Sequence, residues 1–117
     1  MSVNCLRSKK WGQVIKVRVP VWSRTARLDV AIEHAYISVR NVASADRLAL
    51  EIRRKVDSIA ALGLTGVSRS DYGSGIRSIA CRERLIFFRV VDDELIVLRV
   101  LHGHQDISAE DFEQEED

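Results

Sequence analysis

Two apolar segments separated by a short acidic turn dominate the C-terminal part of the chain. Residues 85–91 read LIFFRVV, residues 95–102 read LIVLRVLH, and Asp92, Asp93 and Glu94 lie between them. Aliphatic and aromatic runs of this length around a polar turn predict an antiparallel strand pair. A pair this apolar is stable only if other elements cover it, so it constrains the rest of the fold.

The N-terminal half supplies one strand and a first helix. Residues 14–21 read VIKVRVPV, and this alternation of apolar and basic residues predicts a half-exposed strand. Pro20 cannot donate to a strand ladder and favours a sheet edge or a strand end. Ser23 is a predicted N-cap for a helix from about Arg24. Helical spacing places six apolar residues on one face of that helix: Leu28, Ala31, Ile32, Ala35, Tyr36 and Val39.

A second helix and two further strands complete the predicted order. Ser44 is a predicted N-cap, Gly63 ends the helix, and apolar residues between them recur at helical spacing. Residues 64–75 are a Gly- and Ser-rich loop, and residues 76–81 a strand. The order β-α-α-β-β-β predicts an α+β fold, with a helical hairpin packed on a small, mostly antiparallel sheet. We expect a single domain over residues 1–117, with an N-terminal extension at 1–13 and an acidic tail at 108–117.

The turn of the strand pair decides which residues share a face. A two-residue turn at Asp92 and Asp93 would put Arg89 and Arg99 on opposite faces, and one arginine would then point into the helices. Burying an unpaired guanidinium is costly, so we expect a three-residue turn. That register gives one wholly apolar face for the helices to cover: Ile86, Phe88, Val90, Ile96, Leu98 and Val100.

The opposite face of the strand pair then carries apolar residues interrupted by Arg89 and Arg99. Its members are Leu85, Phe87, Arg89, Val91, Leu95, Val97, Arg99 and Leu101. Two helices do not easily cover both sides of a sheet, so this face is either an open protein-binding patch or is covered by the N-terminal tail or a second copy of the chain. If the face is open, the two arginines are candidate anchors.

Charge and composition narrow the class of protein. Residues 1–107 hold 18 basic and 11 acidic residues, a net +7 that suits an acidic partner, while six acids and no bases lie in 108–117. No apolar run is long enough to span a bilayer, and residues 1–13 lack the apolar core of a secretory signal, so we expect a cytoplasmic protein. Cys5 and Cys81 stand far apart without metal-ligand spacing, and we predict no metal and no cofactor.

Three segments resemble the ParE branch of the RelE/ParE toxin superfamily: SGIRS at 74–78, RLIFFRVVDD at 84–93 and LRVLHGHQD at 98–106. The resemblance extends more loosely over residues 14–106. It implies the β-α-α-β-β-β fold, growth inhibition through binding of DNA gyrase (A subunit), and a role in plasmid or chromosome maintenance. It also implies neutralisation by a ParD-like antitoxin, with operator DNA contacted only through that antitoxin. Candidate residues for antitoxin or target binding are Arg77, Arg84, Phe87, Arg89, Val97 and Arg99.

Two alternative functions stay open at the level of sequence. RelE-type relatives cut ribosome-bound mRNA, and Arg77, Arg84 and His102 are the residues that could carry such chemistry here. The tyrosine that such enzymes often carry near the C-terminus is missing, since Phe112 is the only aromatic residue after His102. This favours a binding protein without catalytic residues over an endoribonuclease. The second alternative is a non-toxic member that acts as a co-repressor with its antitoxin.

Overall fold

The computed structural model describes residues 17–103 and 106–112, in which two helices pack on one face of a five-stranded mixed sheet. The elements are β1 (Val19–Trp22), α1 (Arg24–Ser38), α2 (Val42–Leu62), β2 (Val67–Ser68), β3 (Arg77–Cys81), β4 (Arg84–Val91), β5 (Glu94–His102) and a 3-10 turn at Ala109–Phe112. This confirms the predicted α+β fold, to which the structure adds the two-residue strand β2.

The sheet has the strand order β1-β5-β4-β3-β2, with β1 parallel to β5 and every other pair antiparallel. Pro20 therefore lies in an edge strand, as its missing N–H requires. The predicted first strand began at residue 14, and residues 14–16 lie outside the described residues. The extension at 1–13 and residues 113–117 of the acidic tail also lie outside them.

Polar caps define the ends of both helices. The Ser23 hydroxyl accepts a hydrogen bond from the Ala26 N–H at 3.0 Å, and Gly63 ends α2 in the left-handed conformation with φ of 67°. The prediction of Ser44 as the second cap is wrong. The helix α2 begins at Val42, and its cap is Asn41, whose side chain accepts from the Ser44 N–H at 3.0 Å. Asn and Ser are both good N-cap residues, and here Asn41, which comes first in the chain, accepts the hydrogen bond from the first turn of α2.

The main core lies between α2 and the sheet. Ile52, Val56 and Ile59 of α2 are buried against sheet residues that include Phe88 and Val97. The helix α1 contributes less, since Ala26 is its one buried residue. The six apolar residues that helical spacing places together on α1 face solvent and not this core.

The strand pair uses the two-residue turn, so the predicted three-residue turn is wrong. Val91 pairs with Glu94 across Asp92 and Asp93, and Asp92 has φ of 53°, which Asp tolerates better than most residues. Further along, Phe87 pairs with Arg99 while Phe88 pairs with Val97, so the extra residue Leu98 forms a β-bulge in β5. The bulge shifts the alternation of faces partway along the strand.

This shift exchanges residues between the two predicted faces. Leu95 and Val97 join the helix-covered core together with Ile86, Phe88 and Val100, whereas Ile96 and Leu98 lie on the opposite face. The opposite face is not open. Part of the chain itself covers it and forms a second apolar cluster: Tyr72, Ile76, Leu85, Phe87, Ile96, Leu98, Leu101, Ile107 and Phe112.

Candidate partner-binding surface

Two of the predicted binding residues are inaccessible to a partner. Val97 and Phe87 both have a relative exposure of 0%, Val97 beneath the helices and Phe87 in the second cluster. Their assignment to an open face followed from the three-residue turn and from leaving that face uncovered. In the structure, Val97 and Phe87 stabilise the fold, and partner contacts must come from other residues.

An aromatic cluster closes the second face of the sheet. The Phe112 ring lies 5.0 Å from that of Phe87 in an edge-to-face arrangement and 5.6 Å from that of Tyr72 in a stacked one, measured between ring centroids. Tyr72 in turn meets Phe87 edge to face at 5.8 Å. The start of the acidic tail therefore packs an aromatic side chain against the sheet, a role that its charge does not suggest.

Arg99 is held by the helix α1 and by the backbone of the 3-10 turn. Its Nε and Nη2 donate to the two carboxylate oxygens of Asp29, each at 2.8 Å, and its Nη1 donates to the Asp111 carbonyl at 2.7 Å. Asp29 also accepts from the Val100 N–H at 3.0 Å. Arg99 thus joins α1 to the sheet and is not an accessible anchor.

Arg84 and His102 meet at a carboxylate of α1. They are paired across β4 and β5, with Glu33 Oε2 lying 2.9 Å from Arg84 Nη2 and 3.6 Å from His102 Nε2. The Arg84 side chain is largely buried, and within the described residues its Nε makes no hydrogen bond. A cation, a carboxylate and an imidazole are therefore close together, although Arg84 is already paired with Glu33.

Arg77 lies apart from that group. It pairs with Phe88, four β4 positions from Arg84, which corresponds to roughly 13 Å along the strand. Its guanidinium donates to the carbonyls of Thr65 and Gly66 in the loop after α2. The three residues predicted for RNA cleavage thus form one pair and one separate arginine.

Arg89 occupies the second face of the sheet beside the Gly-rich loop. Its Nε donates to the Ser74 carbonyl at 3.3 Å. A Cβ at Gly75 would lie 3.6–3.9 Å from the Arg89 side chain, so the loop and the arginine are in ordinary contact. The hydrogen bonds of Arg77 and Arg89 to backbone carbonyls are exposed, whereas the ion pairs of Arg84 and Arg99 are partly buried. Arg77 and Arg89 are therefore the predicted binding residues that a partner can still reach.

The acidic residues of the two helices are mostly engaged by cations. Asp29 pairs with Arg99, and Glu33 pairs with Arg84. Asp46 Oδ1 lies 2.7 Å from His34 Nε2, and Glu51 accepts a hydrogen bond from Arg82 Nη2 at 2.8 Å. The Arg82 hydrogen bond is the main reason that the pKa of Glu51 lies below its ordinary value. The basic residues of the helices consequently dominate their outer surface.

A groove of about 470 Å³ lies between the two helices beside the end of β1. It is lined by Trp22, Arg27, Val30, Ala49 and Arg53. Arg27 Nη1 donates to the Trp22 carbonyl at 2.7 Å, which fixes one wall. The groove therefore combines apolar walls with two guanidinium groups, a lining that suits a side chain or segment carrying both apolar and acidic groups.

An apolar stripe runs along the outer face of α1. It consists of Leu28, Ile32, Tyr36 and Val39, with exposures of 52%, 66%, 73% and 86%, together with the exposed Ala31 and Ala35. The sequence pattern identified these residues as one face but assigned no binding role to them. Their spacing alone does not distinguish a face that meets the core from one that meets solvent.

Within the described residues, no three His, Cys, Asp or Glu side chains are placed to share a metal ion. Cys81 is buried, and this burial raises the pKa of its thiol. Among the helices that the structure describes, none is long and apolar enough to cross a membrane.

The chain matches a protein-family model described as the ParE toxin of the type II toxin-antitoxin system parDE, over residues 21–107. That range contains both helices and the sheet from Val21 onward. Among solved structures, a chain titled chromosomal ParDE TA system from P. aeruginosa has a TM-score of 0.63 and 20% identity. The alignment covers 74% of the present chain and 97% of the other, and it supports a shared fold. No curated protein sequence matches the chain.

Proposed function

Because the chain belongs to the ParE toxin family of type II toxin-antitoxin systems, we propose that it inhibits bacterial growth by binding DNA gyrase. The A subunit is the proposed contact, and the site of action is the cytoplasm. A ParD-like antitoxin binds the toxin, neutralises it and carries it to operator DNA. The pair contributes to maintenance of the plasmid or chromosome that encodes it.

The family match over residues 21–107 carries this proposal. Inhibition by binding, without catalysis, is also supported by where the polar residues lie. Arg77 is distant from the contact between Arg84 and His102, and Arg84 is already paired with Glu33. Phe112 has no hydroxyl and packs against Tyr72 and Phe87. A nuclease needs several cations converging with an acid or base on one phosphate, whereas here Arg77 lies away from Arg84 and His102.

Supercoiling of relaxed plasmid by purified gyrase tests the proposal. Added toxin is expected to abolish supercoiling or to accumulate gyrase cleavage complexes, and toxin mixed beforehand with its antitoxin is expected to do neither. Arg77 and Arg89 are the proposed contact residues, so Arg77→Ala and Arg89→Ala should weaken inhibition. Arg54→Ala removes an exposed arginine of α2 and is the matched control. Normal gyrase activity at high concentrations of folded toxin would reject gyrase as the target.

One observation favours a second candidate, a ribosome-dependent mRNA endoribonuclease. Glu33, Arg84 and His102 lie together and group a carboxylate, a cation and an imidazole. Codon-specific mRNA cuts that disappear in His102→Ala would support this function and would count against gyrase inhibition. Normal growth when the toxin is expressed alone would instead favour the non-toxic co-repressor.

A further inference from the structure

The second apolar cluster covers only part of the second face of the sheet. Where β1 begins, Val17, Val19 and Val91 are exposed at 66%, 59% and 42%. The strand register places Val19 and Val91 on either side of Glu94, on the face opposite the helices. Single exposed valines are ordinary, but neighbours on adjacent strands form a contiguous apolar surface. We call this group, completed by two half-buried residues of the next row, the β1 patch: Val17, Val19, Val21, Val91 and Ile96.

Carboxylates dominate the charge around the β1 patch. Glu94 lies between its valines, and Asp92 and Asp93 form the exposed turn beside it. Two cations are near, but Arg89 is bonded to the backbone of the Gly-rich loop, and Arg18 has its Nε and Nη1 buried. A segment that lays apolar residues on the patch therefore gains further stabilisation from basic residues near the turn.

Residues 1–16 of the chain have this chemistry and lead directly into the β1 patch at Val17. They contain no acid, and their apolar and basic residues are Val3, Leu6, Trp11, Val14 and Ile15, and Arg7, Lys9, Lys10 and Lys16. A segment of this length reaches about 50 Å when extended, whereas the patch is three strands wide, about 10 Å. Because the segment is tethered at the patch, its effective concentration there is in the millimolar range.

Other occupants match the β1 patch less well. Residues 113–117 hold acids and no apolar residue, so the carboxylates around the patch would repel them. In a second copy of the chain, the same three carboxylates would approach those of the first, with one arginine on each side. An anionic lipid surface would be repelled for the same reason.

We infer that residues 1–16 dock on the β1 patch and complete the cover of the second face of the sheet. Their apolar residues lie on the valines, and their basic residues lie near the acidic turn. Arg89 pairs with Ile96 at the border of the patch, so the docked segment also limits access to that arginine. The inference does not depend on which protein the chain inhibits.

Tryptic digestion of the full-length protein tests the docking, because the segment carries its own cleavage sites at Arg7, Lys9 and Lys10. A synthetic peptide of residues 1–16 gives the rate for the undocked segment. Mass spectrometry follows cleavage in wild type and in two pairs of uncharged substitutions. Val91→Gln alters the patch and Leu50→Gln an exposed residue of α2, while Glu94→Gln and Glu83→Gln each remove an exposed acid at a strand turn.

Cleavage at these sites should be at least tenfold slower in wild type than in the peptide. It should become at least threefold faster in Val91→Gln and in Glu94→Gln, and it should stay unchanged in Leu50→Gln and Glu83→Gln, since cleavage follows the population of the open state. Should Val91→Gln fail to fold by circular dichroism, Val19→Gln replaces it with the same expectation.

Two results would overturn the docking of residues 1–16. One is cleavage of wild type at the rate of the peptide, or equal protection in wild type, Val91→Gln and Glu94→Gln. The other is a concentration-dependent dimer that Val91→Gln abolishes, because a second copy would then cover the β1 patch. Gyrase activity does not enter this measurement, so the proposed function stands or fails separately.

Discussion

Arg99 and Asp29, seventy positions apart, form a two-bond ion pair between the bulged strand β5 and the helix α1. Both N···O distances are 2.8 Å, and the side chains are 18% and 11% exposed. The same carboxylate accepts from the Val100 N–H of β5. One aspartate therefore joins α1 to the backbone of β5 and neutralises an arginine.

Removal of one member of this pair should strongly destabilise the protein. Asp29→Ala leaves Arg99 without its carboxylate in a largely buried position, and a loss of about 3 kcal/mol in the free energy of unfolding is expected. Urea denaturation followed by circular dichroism measures it. The control is Glu51→Ala, which removes the partner of the well-exposed Arg82 and should change stability little. Equal effects of the two substitutions would show that burial of the Asp29 pair contributes nothing.

Truncation of Phe112 should uncover the second face of the sheet. Phe112→Ala removes the ring that contacts Tyr72 and Phe87, and a loss of about 3 kcal/mol is expected for a buried phenylalanine. Binding of a hydrophobic dye should rise at the same time, because Phe87 and Leu101 become accessible. Glu110→Ala alters an exposed residue of the same turn and should do neither. If Phe112→Ala behaves like Glu110→Ala, the 3-10 turn does not cover the sheet in solution.

Asn41 should be the cap that stabilises α2. Asn41→Ala removes the side-chain acceptor of the Ser44 N–H and is expected to cost about 1 kcal/mol. Ser44→Ala keeps that backbone donor and the cap, so its effect should be much smaller. Thermal unfolding of the two variants beside wild type distinguishes them. A larger loss of stability for Ser44→Ala than for Asn41→Ala would show that Ser44 is the cap after all.

Acidification should weaken the contribution of Glu51 to stability. The hydrogen bond from Arg82 lowers the pKa of Glu51 in the folded protein below its ordinary value of 4.5. The folded state therefore binds this proton less readily than the unfolded state, and the stabilisation is complete above pH 4.5 and disappears as the pH falls through the lowered pKa. Unfolding of wild type and Glu51→Gln between pH 6 and pH 3 should give curves that converge towards acid. Parallel curves would exclude the linkage.

Local signals in the sequence were sufficient to predict most of the helices and strands. Ser23 and Gly63 mark helix ends because a cap acts within one turn, and the strand pair follows from its own composition. The error at Ser44 has the same local origin, since Asn41 and Ser44 are both good caps and spacing does not rank them. The resemblance in residues 74–106 identified the family, and the family model confirms it.

The binding residues were harder to predict because accessibility depends on the register and on distant segments. The cost of an unpaired arginine argued for a three-residue turn, but Asp29 supplies the missing partner, and the bulge at Leu98 accommodates both arginines. Val97 consequently lies in the core. Phe87 is covered by Phe112, a residue inside a segment whose composition predicts only an acidic tail.

The sequence by itself determined the order of helices and strands, their approximate ends and the family, since these depend on contacts within a few residues. Tertiary structure alone decided which faces are covered. Leu28, Ile32, Tyr36 and Val39 have the spacing of a core-facing stripe, yet they are exposed, because another side of α1 faces the protein. On that side Ala26, Val30 and Ile37 pack on the core, and Asp29 and Glu33 pair with Arg99 and Arg84. Such ion pairs join residues 51 and 70 positions apart, and no local pattern encodes them.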